Sequence, residues 1–281
     1  MLKVKAKAKI NLYLDVLYKR ADGYHEVKMV MQSVDLADII ELVPVSEGIS
    51  VFSDLPYLPN DERNLAYRAA VLLQEKYNVD QGVRIYLEKR IPVAAGLAGG
   101  STDAAAVLMA LNKLWKLNLP LSELEQLAAE LGSDVPFCLY GGTALAEGRG
   151  ELITPLPSLG KFWTVIATPS FSVSTAEVYR SLDLGRLKEK KDLAEMIRGL
   201  ERDKPDLIVK NLYNALETVT AERYEEINLL KASALEEGAL AALMSGSGPS
   251  VFALAPSKSV AQAIFRRWKR MEKKVFVTTT G

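Results

Sequence analysis

Apolar and polar residues alternate without interruption through "LKVKAKAKINLYLDV", residues 2 to 16. Leu2, Val4, Ala6, Ala8, Ile10, Leu12, Leu14 and Val16 share one side, and Lys3, Lys5, Lys7, Lys9, Asn11, Tyr13 and Asp15 share the other. This period of two predicts a strand, with Lys9 and Asn11 on the same side about 7 Å apart at roughly 3.3 Å of rise per residue. Taken alone, the pattern describes a half-buried strand with a solvated lysine face. "RADGYH" then breaks it with the turn pair Asp22-Gly23, and extended segments are expected at 25–33 and 39–44.

Helical spacing begins at Asn64 and runs to Tyr77, with Leu65, Ala69, Leu72 and Leu73 on one stripe, and "VRIYLEK" from Val83 alternates as a strand. In "IPVAAGLAGGSTDAAAVLMALNKLW" a glycine-rich loop enters an Ala/Leu-rich helix, with Ser101 or Thr102 as N-cap candidates. Ser122 and Glu125 have the spacing of a capping box for a helix that ends at Gly132, and Asp134 lies just beyond.

The Pro- and Gly-bearing segment "GELITPLPSLGKFW" is the expected boundary between two domains, 1–158 and 159–281. After it the pattern restarts: a strand at 162–168, a helix opening near Ser174, helical stretches between Leu187 and Gly238, a strand at 250–255, a helix at 260–271 and a strand at 275–279. Mixed strands and helices without strict βαβ repetition predict an α+β fold for both halves, and no internal repeat is visible.

Composition narrows the chemistry. The 281 residues carry 35 Lys and Arg against 35 Asp and Glu, so the broad basic surface of a nucleic-acid binder is not expected. One cysteine, Cys138, and one histidine, His25, rule out disulfide scaffolds, zinc sites and Cys-His catalysis, and no G-x-S-x-G elbow supplies a serine for a triad. Apolar runs such as "AAAVLMAL" are shorter than a membrane span, and the N-terminus lacks the pattern of a signal peptide, so a cytoplasmic enzyme with no membrane partner is expected.

Two glycine-rich segments remain. In "PVAAGLAGGST", Gly96, Gly99 and Gly100 would let backbone N–H groups converge on an anion at the positive end of the following helix, or would simply permit close strand-to-helix packing. The spacing matches neither G-x-x-x-x-G-K-[ST] nor G-x-G-x-x-G. For "MSGSGPSVF", with Gly246 and Gly248, a hairpin or bulge is the expected reading.

Taken together and in order, "AKAKINLYLDV", "RADGYHEV", "IPVAAGLAGGSTDAAAVL", "LGSDVPFCLYGGTALAEGRGE" and "MSGSGPSVFAL" closely resemble the 4-diphosphocytidyl-2-C-methyl-D-erythritol kinases, a family of the GHMP superfamily of small-molecule kinases. The resemblance covers nearly the whole chain and is most specific in "RADGYH" and "GSDVPF"; between Leu182 and Glu237 it offers no alignment. It implies a two-domain GHMP kinase fold, with a ribosomal protein S5-like, ATP-binding domain over 1–158 and a ferredoxin-like C-terminal domain over 159–281. It also implies transfer of the ATP γ-phosphoryl group to the 2-hydroxyl of the methylerythritol moiety, in the non-mevalonate route to isoprenoid precursors.

Residue by residue, the resemblance makes Lys9 and Asp134 the catalytic pair. Asp134 would accept the proton of the tertiary alcohol, and Lys9 would stabilise charge on the transferring phosphoryl group. The rival reading of Asp134 is a helix cap. The ATP phosphates would lie along Pro92, Val93, Ala94, Ala95, Gly96, Leu97, Ala98, Gly99, Gly100, Ser101 and Thr102. Asn64 matches a position near the adenine, with a helix N-cap as its rival role. Asn11 would hold a substrate hydroxyl, Tyr24 and Tyr179 would clamp the cytosine, His25 would hydrogen-bond its edge, and Thr175 would contact phosphate or ribose. Without the resemblance, Tyr179 reads as core. Mg²⁺ is expected with ATP, held mainly by phosphates and water: Ser101 matches the loop serine of mevalonate-kinase-like relatives, but no residue matches their glutamate, so no protein ligand is assigned. Two alternatives stand beside this reading: another GHMP small-molecule kinase, and an S5-like RNA-binding module whose lysines track phosphates.

Overall fold

The alternating N-terminal segment forms β1 (Leu2–Lys19), and after the Asp22-Gly23 turn, where Gly23 takes φ +87°, the chain returns as β2 (His25–Val45). The two extended segments expected at 25–33 and 39–44 are one strand, because no Gly or Pro interrupts residues 34–38. The computed structural model describes residues 1–187 and 190–280. They fall into two compact units: Met1–Ala8 with Ala37–Val93 and Ala98–Gly141, and Lys9–Leu36 with Ala94–Leu97 and Gly142 onward.

In the first unit β3 (Ile49–Ser53) runs parallel to β4 (Gly82–Glu88), with Val51 opposite Ile85, and β4 pairs antiparallel with residues 39–45 of β2. One face of this sheet buries Ile40, Leu42, Val51, Val83, Ile85 and Leu87. Against it lie α1 (Leu65–Lys76), α2 (Gly99–Leu114), α3 (Leu121–Leu131) and α4 (Val135–Tyr140). The buried stripe of α1 is Ala66, Ala69, Ala70 and Leu73, and α2 is buried almost all round from Thr102 to Leu108, so alanines let the two helices approach closely. The expected capping box at Ser122 and Glu125 does not form. The helix starts two residues earlier, with Pro120 rather than Ser122 as N-cap and no side-chain cap, while Gly132 ends it as expected.

In the second unit β5 (Thr143–Glu147) pairs antiparallel with residues 29–32 of β2 and with β6 (Leu152–Pro155). A separate four-stranded antiparallel sheet has the order β11-β7-β10-β9, from β7 (Trp163–Thr168), β9 (Ala241–Met244), β10 (Val251–Ala255) and β11 (Lys274–Thr279). Between β7 and β9 come α5 (Thr175–Ser181), α6 (Leu193–Glu201), α7 (Pro205–Lys210), the two-residue strand β8 (Tyr213–Asn214), α8 (Glu217–Arg223) and α9 (Glu225–Glu236). The helical stretch expected from Leu187 includes residues 188 and 189, which lie outside the described residues, as does residue 281. Across the sheet, α10 (Lys258–Met271) buries Trp268, whose Nε1 donates to Leu230 O and Ser233 Oγ of α9. Among the described residues no helix is long and apolar enough to cross a membrane. The glycine-rich "MSGSGPSVF" is the connection of the β9–β10 hairpin, as its spacing suggests.

Candidate functional site

Along β1 the alternation stops describing exposure at Lys9. Lys3, Lys5 and Lys7 are exposed, but Lys9, Asn11, Tyr13 and Asp15 on the same side are all buried, Lys9 at 4% exposure. The solvated lysine face therefore ends at Lys7. At the far end of that side β8 pairs parallel with β1, setting Tyr213 opposite Tyr13, while Tyr13 OH donates to Lys191 O and Lys190 Nζ pairs with Asp15 at 2.9 Å. A buried ammonium needs acceptors. Lys9 Nζ donates to Asn11 Oδ1 at 2.7 Å, Asn11 Nδ2 lies 3.4 Å from Met29 Sδ, and Lys9 N donates to Leu97 O of the glycine-rich loop. The two residues that the strand period puts on one side are thus directly bonded.

The loop has left-handed residues at every second position: Ala94 (φ 52°), Gly96 (φ 75°) and Ala98 (φ 57°). Alternation of this kind curls the backbone so that N–H groups converge on an anion. Ala98 is the N-cap of α2 and supplies no side-chain cap, so the expected Ser101 or Thr102 cap is replaced by a backbone entry. The first intrahelical bond runs from Thr102 N to Ala98 O, which leaves the N–H groups of Gly99, Gly100 and Ser101 without an intrahelical acceptor. Close packing operates as well. A Cβ on Gly96 would lie 2.1 Å from Ser245 O, and one on Gly99 3.2 Å from Ile91 Cγ2.

Tyr24 and His25 stand at the end of the β1–β2 turn. His25, not Tyr24, faces Tyr179 of α5, with ring centroids 5.1 Å apart and 32° between planes. The Tyr24 ring is half exposed and lies under the Arg149 guanidinium at 5.0 Å. Burial, and then the charge of Lys19, hold the His25 imidazole below its ordinary range, which keeps it neutral near pH 7. Thr175, the first residue of α5, shares a 2.8 Å hydrogen bond with Ser247 Oγ.

In the first unit Asp134 precedes α4 with helical backbone angles and makes no side-chain cap, so the helix-cap reading of that carboxylate fails. The opposite holds for Asn64. Its Oδ1 accepts from Ala66 N at 2.9 Å and its Nδ2 donates to Pro59 O, a complete N-cap on α1. That cap lies close to the start of α2, since a Cβ on Gly100 would sit 3.6 Å from Leu65 Cδ1.

Two groups escape a reading by motif. The first is Lys89, just ahead of the loop, buried between Asp38 of β2 and Asp103 of α2. A lysine just before Arg90-Ile91-Pro92 and an aspartate in an alanine-rich helix were the available signals. The second is the Ser245–Gly248 turn, whose serines reach Gly96 and Thr175. Among the described residues no group of three or more His, Cys, Asp or Glu side chains converges as a metal cage.

Comparison with known proteins matches the family model for the GHMP kinases N terminal domain over residues 64–142 and that for GHMP kinases C terminal over 187–274. The chain is 55% identical over 266 residues to a 4-diphosphocytidyl-2-C-methyl-D-erythritol kinase of Geobacillus kaustophilus (strain HTA426), covering 94% of this chain and 91% of that protein. It is similar to a crystal structure of a 4-(cytidine 5'-diphospho)-2C-methyl-D-erythritol kinase, with TM-score 0.86, 36% identity and coverage of 100% and 99% of the two chains. A homoserine kinase from Cytophaga hutchinsonii shares the fold at TM-score 0.74 and 24% identity, over 100% of this chain and 96% of that one.

Proposed function

The chain belongs to the 4-diphosphocytidyl-2-C-methyl-D-erythritol kinases, a family of GHMP kinases, and from that premise we propose how its own residues divide the work. The reaction is the ATP-dependent phosphorylation of the 2-hydroxyl of 4-diphosphocytidyl-2-C-methyl-D-erythritol, a step of the non-mevalonate route to isoprenoid precursors. The hydroxyl oxygen attacks the γ-phosphorus, the bond to the β–γ bridging oxygen breaks, and ADP leaves with that electron pair. In our reading the hydroxyl proton passes to Asp134 as general base, and the Lys9 ammonium meets the charge that develops on the transferring group.

The observation that carries this assignment is the junction at Lys9. A lysine buried to 4% exposure is bonded through Nζ to Asn11 and through its backbone N–H to the glycine-rich loop. A buried ammonium joined in this way to the loop is placed to meet an anion that the loop holds. Residues Pro92 to Thr102 cradle the ATP phosphates through backbone N–H groups, with Mg²⁺ entering on the nucleotide. Asn64, spent on its cap, shapes the adenine end by fixing the start of α1. Asn11 orients the acceptor hydroxyl, and Thr175 meets phosphate or ribose. Tyr24 and Tyr179 take the cytosine between them while His25 reads its edge. For that the base must replace part of the present contact of His25 with Tyr179. We take residues 1–158 as the ATP-binding domain and 159–281 as the C-terminal domain, a division by sequence that differs from the two compact units, and we assign the reaction to the cytoplasm.

The test is a coupled ADP-release assay with ATP and cytidylated methylerythritol, run beside homoserine and mevalonate. Turnover confined to the cytidylated substrate supports the assignment. Preference for an uncytidylated alcohol would replace it with another GHMP activity, and salt-dependent RNA binding without turnover would replace it with the RNA-binding module.

A further inference from the structure

The Ser245–Gly248 turn is held from behind by three side chains of one short segment. Asn214 Nδ2 donates to Met244 O and to Gly246 O, both at 2.8 Å, and its Oδ1 accepts from Leu216 N. Glu217 Oε1 accepts from Met244 N at 2.6 Å, and Thr220 Oγ1 donates to Ser247 O at 3.2 Å. Spaced by three residues, the three side chains lie along one side of the chain where β8 passes into α8. Asn214 and Thr220 are buried, and Lys231 ion-pairs with Glu217 and holds its carboxylate in place.

The front of the same turn touches candidate site elements. Ser245 Oγ donates to Gly96 O at 2.9 Å, Ser250 N to Ala95 O, and a Cβ on Gly96 would strike Ser245 O. A Cβ on Gly246 would meet Gly96 O at 3.4 Å and Asn11 Oδ1 at 3.5 Å, so the turn lies against both. Ser247 Oγ bonds Thr175 at the start of the helix that carries Tyr179. The turn has no hydrophobic side chain to anchor it, and Gly246 and Gly248 both adopt left-handed angles. Its shape therefore depends on hydrogen bonds from its neighbours.

We propose that Asn214, Glu217 and Thr220 are positioning residues that hold the Ser245–Gly248 turn as a shared wall, setting the phosphate loop at Gly96 and the cytidyl-substrate elements Asn11 and Thr175 together. This rests on the reading of residues 92–102 as the ATP loop. It gives a role to a stretch of chain on which no motif could be placed. One perturbation behind the turn must then disturb ATP and the second substrate jointly.

The test compares shape-conserving pairs by steady-state kinetics and thermal melting. Thr220→Val removes the donor to Ser247 O and keeps the volume; it should raise KM for ATP and for the cytidylated substrate about fivefold each, the worth of one hydrogen bond, with little change in Tm. Thr220→Ser should restore both. Asn214→Asp, which sets a carboxylate against two carbonyl oxygens, should act in the same direction more strongly. Glu217→Gln keeps an acceptor for Met244 N and should stay near wild type, whereas Glu217→Ala should not. A purely structural role predicts lowered Tm with both KM values unchanged. That result in folded Thr220→Val overturns the proposal, even if Asn214→Asp fails to fold. Gly96→Ala, read by ATP calorimetry, separates the two levels. If it binds ATP normally, the ATP-loop reading itself fails; if it loses ATP while the Thr220 and Asn214 variants bind normally, the positioning proposal alone fails.

Discussion

Replacing Lys89 by Met leaves two buried carboxylates facing each other. Lys89 Nζ donates to Asp38 Oδ2 and Asp103 Oδ2, and the three side chains are 3%, 0% and 4% exposed. Asp38 Oδ1 also accepts from Arg90 N at 2.5 Å and Ile91 N at 2.8 Å, but Asp103 Oδ1 has no hydrogen-bond partner among the described residues. Burial opposes the Lys89 charge, yet Asp103 and then Asp38 outweigh it and hold the ammonium above its ordinary range. Removing one member of a buried ion cluster costs roughly 3–5 kcal/mol. The lower end applies here, because Asp38 keeps its two backbone donors and the Asp103 carboxyl can take a proton: burial first, and then the Asp38 charge, push it up to about 7 against the pull of Lys89. At about 2–4 °C per kcal/mol for a chain of this size, a loss near 3 kcal/mol lowers Tm by about 6–12 °C.

The pH dependence has a definite sign. A carboxyl whose folded value lies near 7 and whose unfolded value is ordinary binds a proton more readily when folded, so its stabilisation is complete below about 4 and is lost as pH rises through 7. Without Lys89 the folded value rises further, so the Tm deficit of Lys89→Met should be larger at pH 8 than at pH 6. The double variant Lys89→Met/Asp103→Asn removes the second charge and gives Asp38 an amide donor, and it should recover most of the loss at pH 8. Calorimetry of the wild type, both single variants and the double variant at the two pH values is the assay. A Lys89→Met melting point within 2 °C of wild type at pH 8, or a double variant no better than Lys89→Met, would refute the account.

Asp134→Asn and Lys9→Ala should each lower kcat by at least about 10²-fold with ATP affinity little changed, and near-normal turnover in either variant removes that residue from the mechanism. Tyr24→Ala should weaken the cytidylated substrate and its uridine analogue alike, by about 1–3 kcal/mol, whereas His25→Ala should narrow the preference between them; kcat/KM for both substrates decides. Because His25 is held below its ordinary range, its neutral form persists from pH 8 down through about 6.5, and its contribution to stability is lost as pH falls further. KM for the cytidylated substrate should therefore be flat from pH 8 to 7 and rise under acid conditions, a rise that His25→Ala should abolish.

Side-chain periodicity is a local property, and where it acts alone it can be read directly from the chain. It delivered β1, α1, β4, α10 and β11 to within a few residues, together with the common side of Lys9 and Asn11. The five ordered segments carried the family, because a backbone that must approach an anion or turn sharply restricts its residue types. Local capping rules failed at α2 and α3, where Ala98 and Pro120 set the helix starts through backbone angles rather than side-chain oxygens.

The buried half of β1 could not be read this way. Lys9 carries the same pattern as Lys7, and only contacts distant in sequence distinguish them: Leu97 O accepts from Lys9 N, and further along β1 the chain near β8 covers Tyr13 and Asp15. The same holds for Lys89 between Asp38 and Asp103, and for Asn214, Glu217 and Thr220 behind the glycine turn. Their partners are distant carboxylates or backbone carbonyl and N–H groups; the backbone groups belong to nearly every residue and leave no mark on a sequence. Alternation records which side chains share a face of a strand, but the solvation of that face is set by whatever the rest of the chain lays across it.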